Sequence, residues 1–70
     1  MALLNLSKII KHRRDVLKIT QEQLAEMAEV GLRTLKSIEN GKGNPTVSTI
    51  NKLAKVLGME LKLEIKKTGF

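Results

Sequence analysis

His12 is the only histidine and there is no cysteine, so side chains suited to nucleophilic or metal chemistry are few. Ser7, His12 and Asp15 supply the residue types of a hydrolytic triad. All three fall on one short amphipathic stretch, without a pocket or oxyanion donors beside them. His12 has Asp15 and Val16 at its i+3 and i+4 positions, and a lone His-Asp pair does not hold a metal. Gly41 and Gly43 lack the preceding strand, the spacing and the Lys-Ser/Thr pair of a nucleotide-cradling loop. The expectation is therefore a protein that is not an enzyme and needs no metal or cofactor. What remains is charge: thirteen Lys and Arg against seven acids give +6 on 70 residues, with a pI near 10.0. A balance of that kind favours a polyanionic partner, although a solvated basic surface would produce it as well. The sole aromatic residue is Phe70, which disfavours recognition by stacking unpaired bases and leaves duplex nucleic acid as the better match.

The elements that would position these charges are short. Leu6, Ile9, Ile10, Arg13 and Leu17 recur at three- and four-residue steps, predicting an amphipathic first helix with Asn5 or Ser7 as its cap. Thr20 and Gln23 fit a capping box, with Ile19 and Leu24 as its hydrophobic staple. They predict a second helix of about eight residues that turns Leu24, Ala25 and Ala28 inward and leaves Met27 outward. The apolar phase breaks at Glu29 to Gly31. It resumes through Leu32, Leu35 and Ile38 as a third helix that runs to Asn40 and Gly41. The stretch 40–45, Asn-Gly-Lys-Gly-Asn-Pro, is a loop. Thr46 then caps a fourth helix whose buried stripe is Val47, Ile50, Leu53, Ala54, Val56 and Leu57, closed by Gly58.

After Gly58 the period becomes two. Met59, Leu61, Leu63 and Ile65 alternate with Glu60, Lys62, Glu64 and Lys66, which predicts a β-strand. A single strand leaves its ladder groups unpaired, so it needs either the short run Ala2 to Leu6 or a second copy of the chain. The length allows one domain. The absence of Cys, of a long apolar run and of a basic stretch ahead of one points to a cytoplasmic protein without a signal peptide or anchor.

In order and spacing these features resemble the helix-turn-helix domain of the Cro and lambda-repressor family, also called XRE-like. Thr20 to Glu26 looks like that family's second helix, Gly31 to Lys42 like its recognition helix and following loop, and Asn44 to Gly58 like its fourth helix. The resemblance covers roughly Leu6 to Gly58. It implies an all-α fold of four to five helices, a DNA-binding domain over 1–58, and a strand and tail over 59–70 that serve dimerisation. Val30 to Arg33, Gly41-Lys42 with Pro45 to Val47, and Leu57 to Leu61 look most like HipB-type antitoxin repressors, whose C-terminal strand pairs between protomers. Two positions depart from the pattern. Lys18 and Glu29 stand where the family commonly has glycine, so each turn is either strained or differently shaped.

The resemblance also assigns roles. The third helix would enter the major groove with Arg33 as the leading base reader, through a bidentate contact to guanine, and with Thr34, Lys36 and Ser37 in support. Leu32 would either touch a thymine methyl or pack against the turn. Phosphates would be held by Gln21 and Lys42, with Asn40, Gly43 and Asn44 as further donors and Thr20 as a donor or merely a cap. Arg14 and Glu39 match a structural ion pair between the first and third helices. The function implied is a homodimeric repressor on an inverted-repeat operator, and the HipB-type likeness adds a HipA-type kinase toxin as partner. The alternatives are a stand-alone or phage-like regulator without a toxin, and a protein-binding module built on the same fold.

Overall fold

A computed structural model describes residues 3–61, with side chains from residue 6 onward. Four helices follow in order: α1 Leu3–Leu17, α2 Gln21–Ala28, α3 Leu32–Glu39 and α4 Val47–Val56. Leucines at 3, 4 and 6 favour helix, and each residue added to an existing helix gains a backbone hydrogen bond. For that reason α1 begins at Leu3 and encloses both Asn5 and Ser7, which are therefore not its caps. The same extension removes residues 3–6 as a strand partner for the C-terminal segment. No fifth helix and no strand occurs among the described residues. Met59, Glu60 and Leu61 continue from α4 without strand pairing, while Leu63 and Ile65 lie outside the described residues.

The second helix starts as its sequence requires. Gln23 N donates to Thr20 Oγ1 at 3.0 Å, and Thr20 N donates to Gln23 Oε1 at 2.8 Å, closing the capping box. At the fourth helix, Thr49 N donates to Thr46 Oγ1 at 3.1 Å. The core is a single cluster of Ile10, Leu24, Ala25, Ala28, Leu35, Ile38, Ile50, Leu53 and Leu57, with Leu6, Ile19, Val30, Leu32 and Val56 packed around it. Each large aliphatic side chain taken out of water contributes about 1.5–3 kcal/mol. Ala25 and Ala28 keep the inward face of α2 thin, so α3 and α4 both pack on it. Val47 belongs to the expected stripe yet is exposed, because in the first turn of α4 it lies beyond the end of the core. Ile9 and Leu17 are likewise exposed on α1.

All four helices end alike. Lys18, Glu29, Gly41 and Gly58 each have positive φ. In each case that residue's N–H bonds the carbonyl three residues back, and the next N–H bonds the carbonyl five back. Such closure satisfies carbonyls that the helix end leaves open. At Lys18 and Glu29, both with φ 57°, a side-chain-bearing residue holds the left-handed geometry that the family's glycine would adopt without cost. The turns keep their shape and carry the strain.

Candidate nucleic-acid interface

The third helix divides its residues by face. Leu35, Ile38 and Glu39 are buried, which leaves Arg33, Thr34 and Lys36 exposed and Ser37 half-buried at its rim. Leu32 is half-buried and packs against the core. Gly31 supplies no side-chain cap, so nothing from its own side chain covers the first-turn N–H groups of α3.

Beyond α3 the chain folds back on it. Lys42 N donates to Ser37 O at 2.9 Å, which reverses the backbone at Gly41. Gly43, with φ 81°, lies so close to α3 that a Cβ there would stand 3.1 Å from Ser37 Oγ. A larger residue would push the loop outward. The close approach forms a cleft of about 340 Å³ with Arg33, Thr34 and Ser37 on one wall and Lys42, Gly43 and Asn44 on the other. Six of the eleven residues expected to touch DNA meet in this cleft. Lys36 and Asn40 stand exposed outside it.

Thr20 and Gln21 are placed differently. The Thr20 hydroxyl accepts from Gln23 N, so it acts as a cap. Gln21 Nε2 donates to Glu39 Oε1 at 3.0 Å, so its amide is directed at a buried carboxylate. The same carboxylate receives Arg14 Nε at 2.8 Å on Oε2 and Arg14 Nη2 at 3.0 Å on Oε1. Arg14 Nη1 donates to Ile19 O at 3.1 Å. One carboxylate at the end of α3 thus ties α1 to the start of α2, and Arg14 itself holds the α1–α2 turn through Ile19 O. The bidentate bond to Glu39 raises the Arg14 pKa, although burial opposes it. No buried side-chain polar atom among the described residues is left without a partner.

Residues 10–63 match the family model described as Helix-turn-helix. The chain belongs to the helix-turn-helix family. It is also 35% identical over 52 residues to an uncharacterized HTH-type transcriptional regulator of Methanothermobacter thermautotrophicus, covering 74% of this chain and 75% of that one. Membership makes the chain a DNA-binding transcription regulator of XRE-like type, in a family that is generally non-enzymatic.

Within the helix-turn-helix frame, α2 and α3 are the paired helices and α3 is the reading element. Two contacts in this frame escaped sequence reasoning. Gln21 reaches Glu39 across 18 residues and Arg13 Nε reaches Leu57 O at 2.8 Å across 44. Arg13 could have been suspected, since it occupies an inward phase of the α1 pattern where an apolar residue would be expected. Its guanidinium lies at the C-terminal end of α4, where a cation is favoured. The other chemistry considered for this chain is not assembled. Ser7 is buried while His12 is exposed, and no group of three metal-ligating side chains exists among the described residues. No helix among them is long and apolar enough to cross a membrane.

Proposed function

We infer that this helix-turn-helix regulator is a sequence-specific repressor that reads duplex DNA through the α3 cleft and binds an inverted-repeat operator as a homodimer. The observation that carries the reading is the cleft itself, which sets a fork-shaped donor, Arg33, opposite a flexible cation, Lys42, with hydroxyls and a backbone-rich loop between them. Arg33 would read guanine O6 and N7, while Thr34, Ser37 and the exposed Lys36 would contact neighbouring bases. Lys42, Asn44 and Asn40 would hold the phosphate strand beside the groove, and Thr20 and Gln21 would approach the other strand at the start of α2. Gln21 has one amide hydrogen directed at Glu39 and a second with which to meet a phosphate.

The strings Val30 to Arg33, Gly41-Lys42 with Pro45 to Val47, and Leu57 to Leu61 support a finer reading. In it the protein is the antitoxin of a HipA/HipB-type pair, binds a HipA-type kinase and represses its own operon in the cytoplasm. Co-purification with the product of an adjacent gene tests that partner, and an adjacent gene that encodes no kinase removes it.

DNA reading is tested by fluorescence anisotropy on the duplex upstream of the protein's own gene and on a scrambled duplex, each at about 50 and 200 mM salt. Binding at least about a hundredfold tighter to the native sequence at the higher salt is expected. Equal binding that collapses with salt on both duplexes would replace operator reading by a basic surface that meets an acidic protein.

A further inference from the structure

Glu39 sits where a carboxylate is costly. It is 2% exposed and is the last residue of α3, the helix end that disfavours an anion. An apolar pair of similar volume would hold α1 against α3 about as stably as the Arg14–Glu39 bridge does. Stability alone therefore gives the carboxylate no reason to be there. The two guanidinium bonds from Arg14, at 2.8 and 3.0 Å, do not exhaust it. Oε1 also accepts from Gln21 Nε2 at 3.0 Å, on a different helix and 18 residues away.

That third bond decides which end of an amide is held. A carboxylate accepts and cannot donate, so only the NH2 group of Gln21 can face it. One hydrogen is engaged, the carbonyl is kept from that side, and the second hydrogen is the donor left over. Gln21 is half-buried in the first turn of α2, the end of a helix where free N–H groups favour an anion. An amide turned the other way would set its carbonyl oxygen against the same anion. Gln23 gives the contrast within the same turn: it is exposed, and its carbonyl accepts from Thr20 N at 2.8 Å.

We propose that Glu39 is a positioning residue for DNA binding, whose Oε1 locks the Gln21 amide with its second N–H toward the phosphate backbone. Arg14 keeps Glu39 in place, so the ion pair between α1 and α3 serves the grip of α2 on the duplex. The inference rests on the reading that Gln21 meets a phosphate, and it adds the group that aims the amide. A charge that stability does not require thereby has a use.

Fluorescence anisotropy on the wild type, on Gln21→Ala, on the double variant Arg14→Met with Glu39→Leu and on the triple variant tests it, with circular dichroism to confirm that each is folded. Gln21→Ala is expected to bind every duplex at least about tenfold more weakly, since a hydrogen bond to a charged group is lost. Its salt slope should not change, because the amide carries no charge. The double variant should lose about as much, and adding Gln21→Ala to it should cost less than about twofold more. A double variant that binds as tightly as the wild type, or losses that simply add, would leave the carboxylate an architectural group and overturn the proposal. Gln21→Ala binding like the wild type would remove the phosphate contact itself, and the positioning role with it. Hydrogen exchange in the wild type decides the matter even if the double variant fails to fold. In the free protein one side-chain amide hydrogen of Gln21 should exchange at least about tenfold more slowly than those of Gln23, and the second should slow only when DNA is bound. Equal exchange at the two glutamines would overturn the lock. The operator reading fails separately, if the wild type shows no sequence preference while these losses persist.

Discussion

Glu39 is almost wholly out of water, so the cost of burying its carboxylate depends on what surrounds it. Two guanidinium bonds and one amide bond compensate the carboxylate, and they come from two different helices. Replacing Arg14 alone by Met should therefore destabilise the fold by about 3–5 kcal/mol, because a buried charge loses its counterion. The double variant Arg14→Met with Glu39→Leu should recover much of that loss, since apolar groups of similar volume remove the desolvation cost as well as the attraction. Urea denaturation of the three proteins checks both, and a double variant no more stable than Arg14→Met would contradict the account. In the cleft the two cations should part company. Arg33→Ala should cost about 1–3 kcal/mol on the preferred sequence and little on others, so the ranking of sequences changes. Lys42→Ala should weaken all duplexes alike and reduce the salt slope by about 0.9. Anisotropy across a panel of duplexes distinguishes them, and a uniform loss for Arg33→Ala would demote it to a phosphate contact. The Arg14–Glu39 pair was legible from family resemblance and the cap at Thr20 from local spacing. The second partner of Glu39 was not, because a side chain on an exposed first turn gives no sign of which distant carboxylate it will meet.

Helix starts depend on side chains three residues apart, so sequence alone locates them well when the cap is unambiguous, as at Thr20 and Thr46. The start of α1 was misplaced because two plausible caps, Asn5 and Ser7, lie inside a run that continues as helix on both sides. Helix ends are different, since the closing residue must adopt positive φ and only glycine announces that freedom. Gly41 and Gly58 were readable for this reason. At Lys18 and Glu29 the turn persists without glycine and the chain holds the strain. Glu29→Gly and Lys18→Gly should each stabilise the protein by about 1 kcal/mol, whereas Gly58→Ala should destabilise it by a similar amount. Thermal or urea unfolding measures these shifts. Loss of stability in Glu29→Gly would mean that its side chain contributes more than its backbone conformation costs. Gly43 carries a steric demand besides its φ, because a Cβ would press on Ser37. Gly43→Ala should accordingly disturb the Lys42 wall of the cleft and lower DNA affinity more than it lowers overall stability.

For the whole molecule, the proposed homodimer raises the question of how two copies would address one duplex. A single α3 reads only a few base pairs, so useful selectivity needs a second reading helix on the same face of the DNA, about one helical turn or 34 Å away. A dimer whose contact lies away from the α3 cleft leaves both reading helices free to meet one duplex. Half-site spacing then becomes a property of the protein's own geometry. In the tightest duplex selected from a random pool, inserting about 5 base pairs between the half-sites turns one of them to the opposite face, and affinity should fall toward that of a single half-site. Inserting about 10 base pairs restores the face but not the distance, so recovery should be partial. A variant that is monomeric in solution should bind all three duplexes with the same weak affinity, since a monomer senses no spacing. Spacing-independent binding by the wild type would show instead that each copy acts alone, whatever its state in solution. The +6 charge will draw the protein to any duplex at low salt, so the comparison belongs at about 200 mM, where counterion release favours binding least and spacing carries the difference.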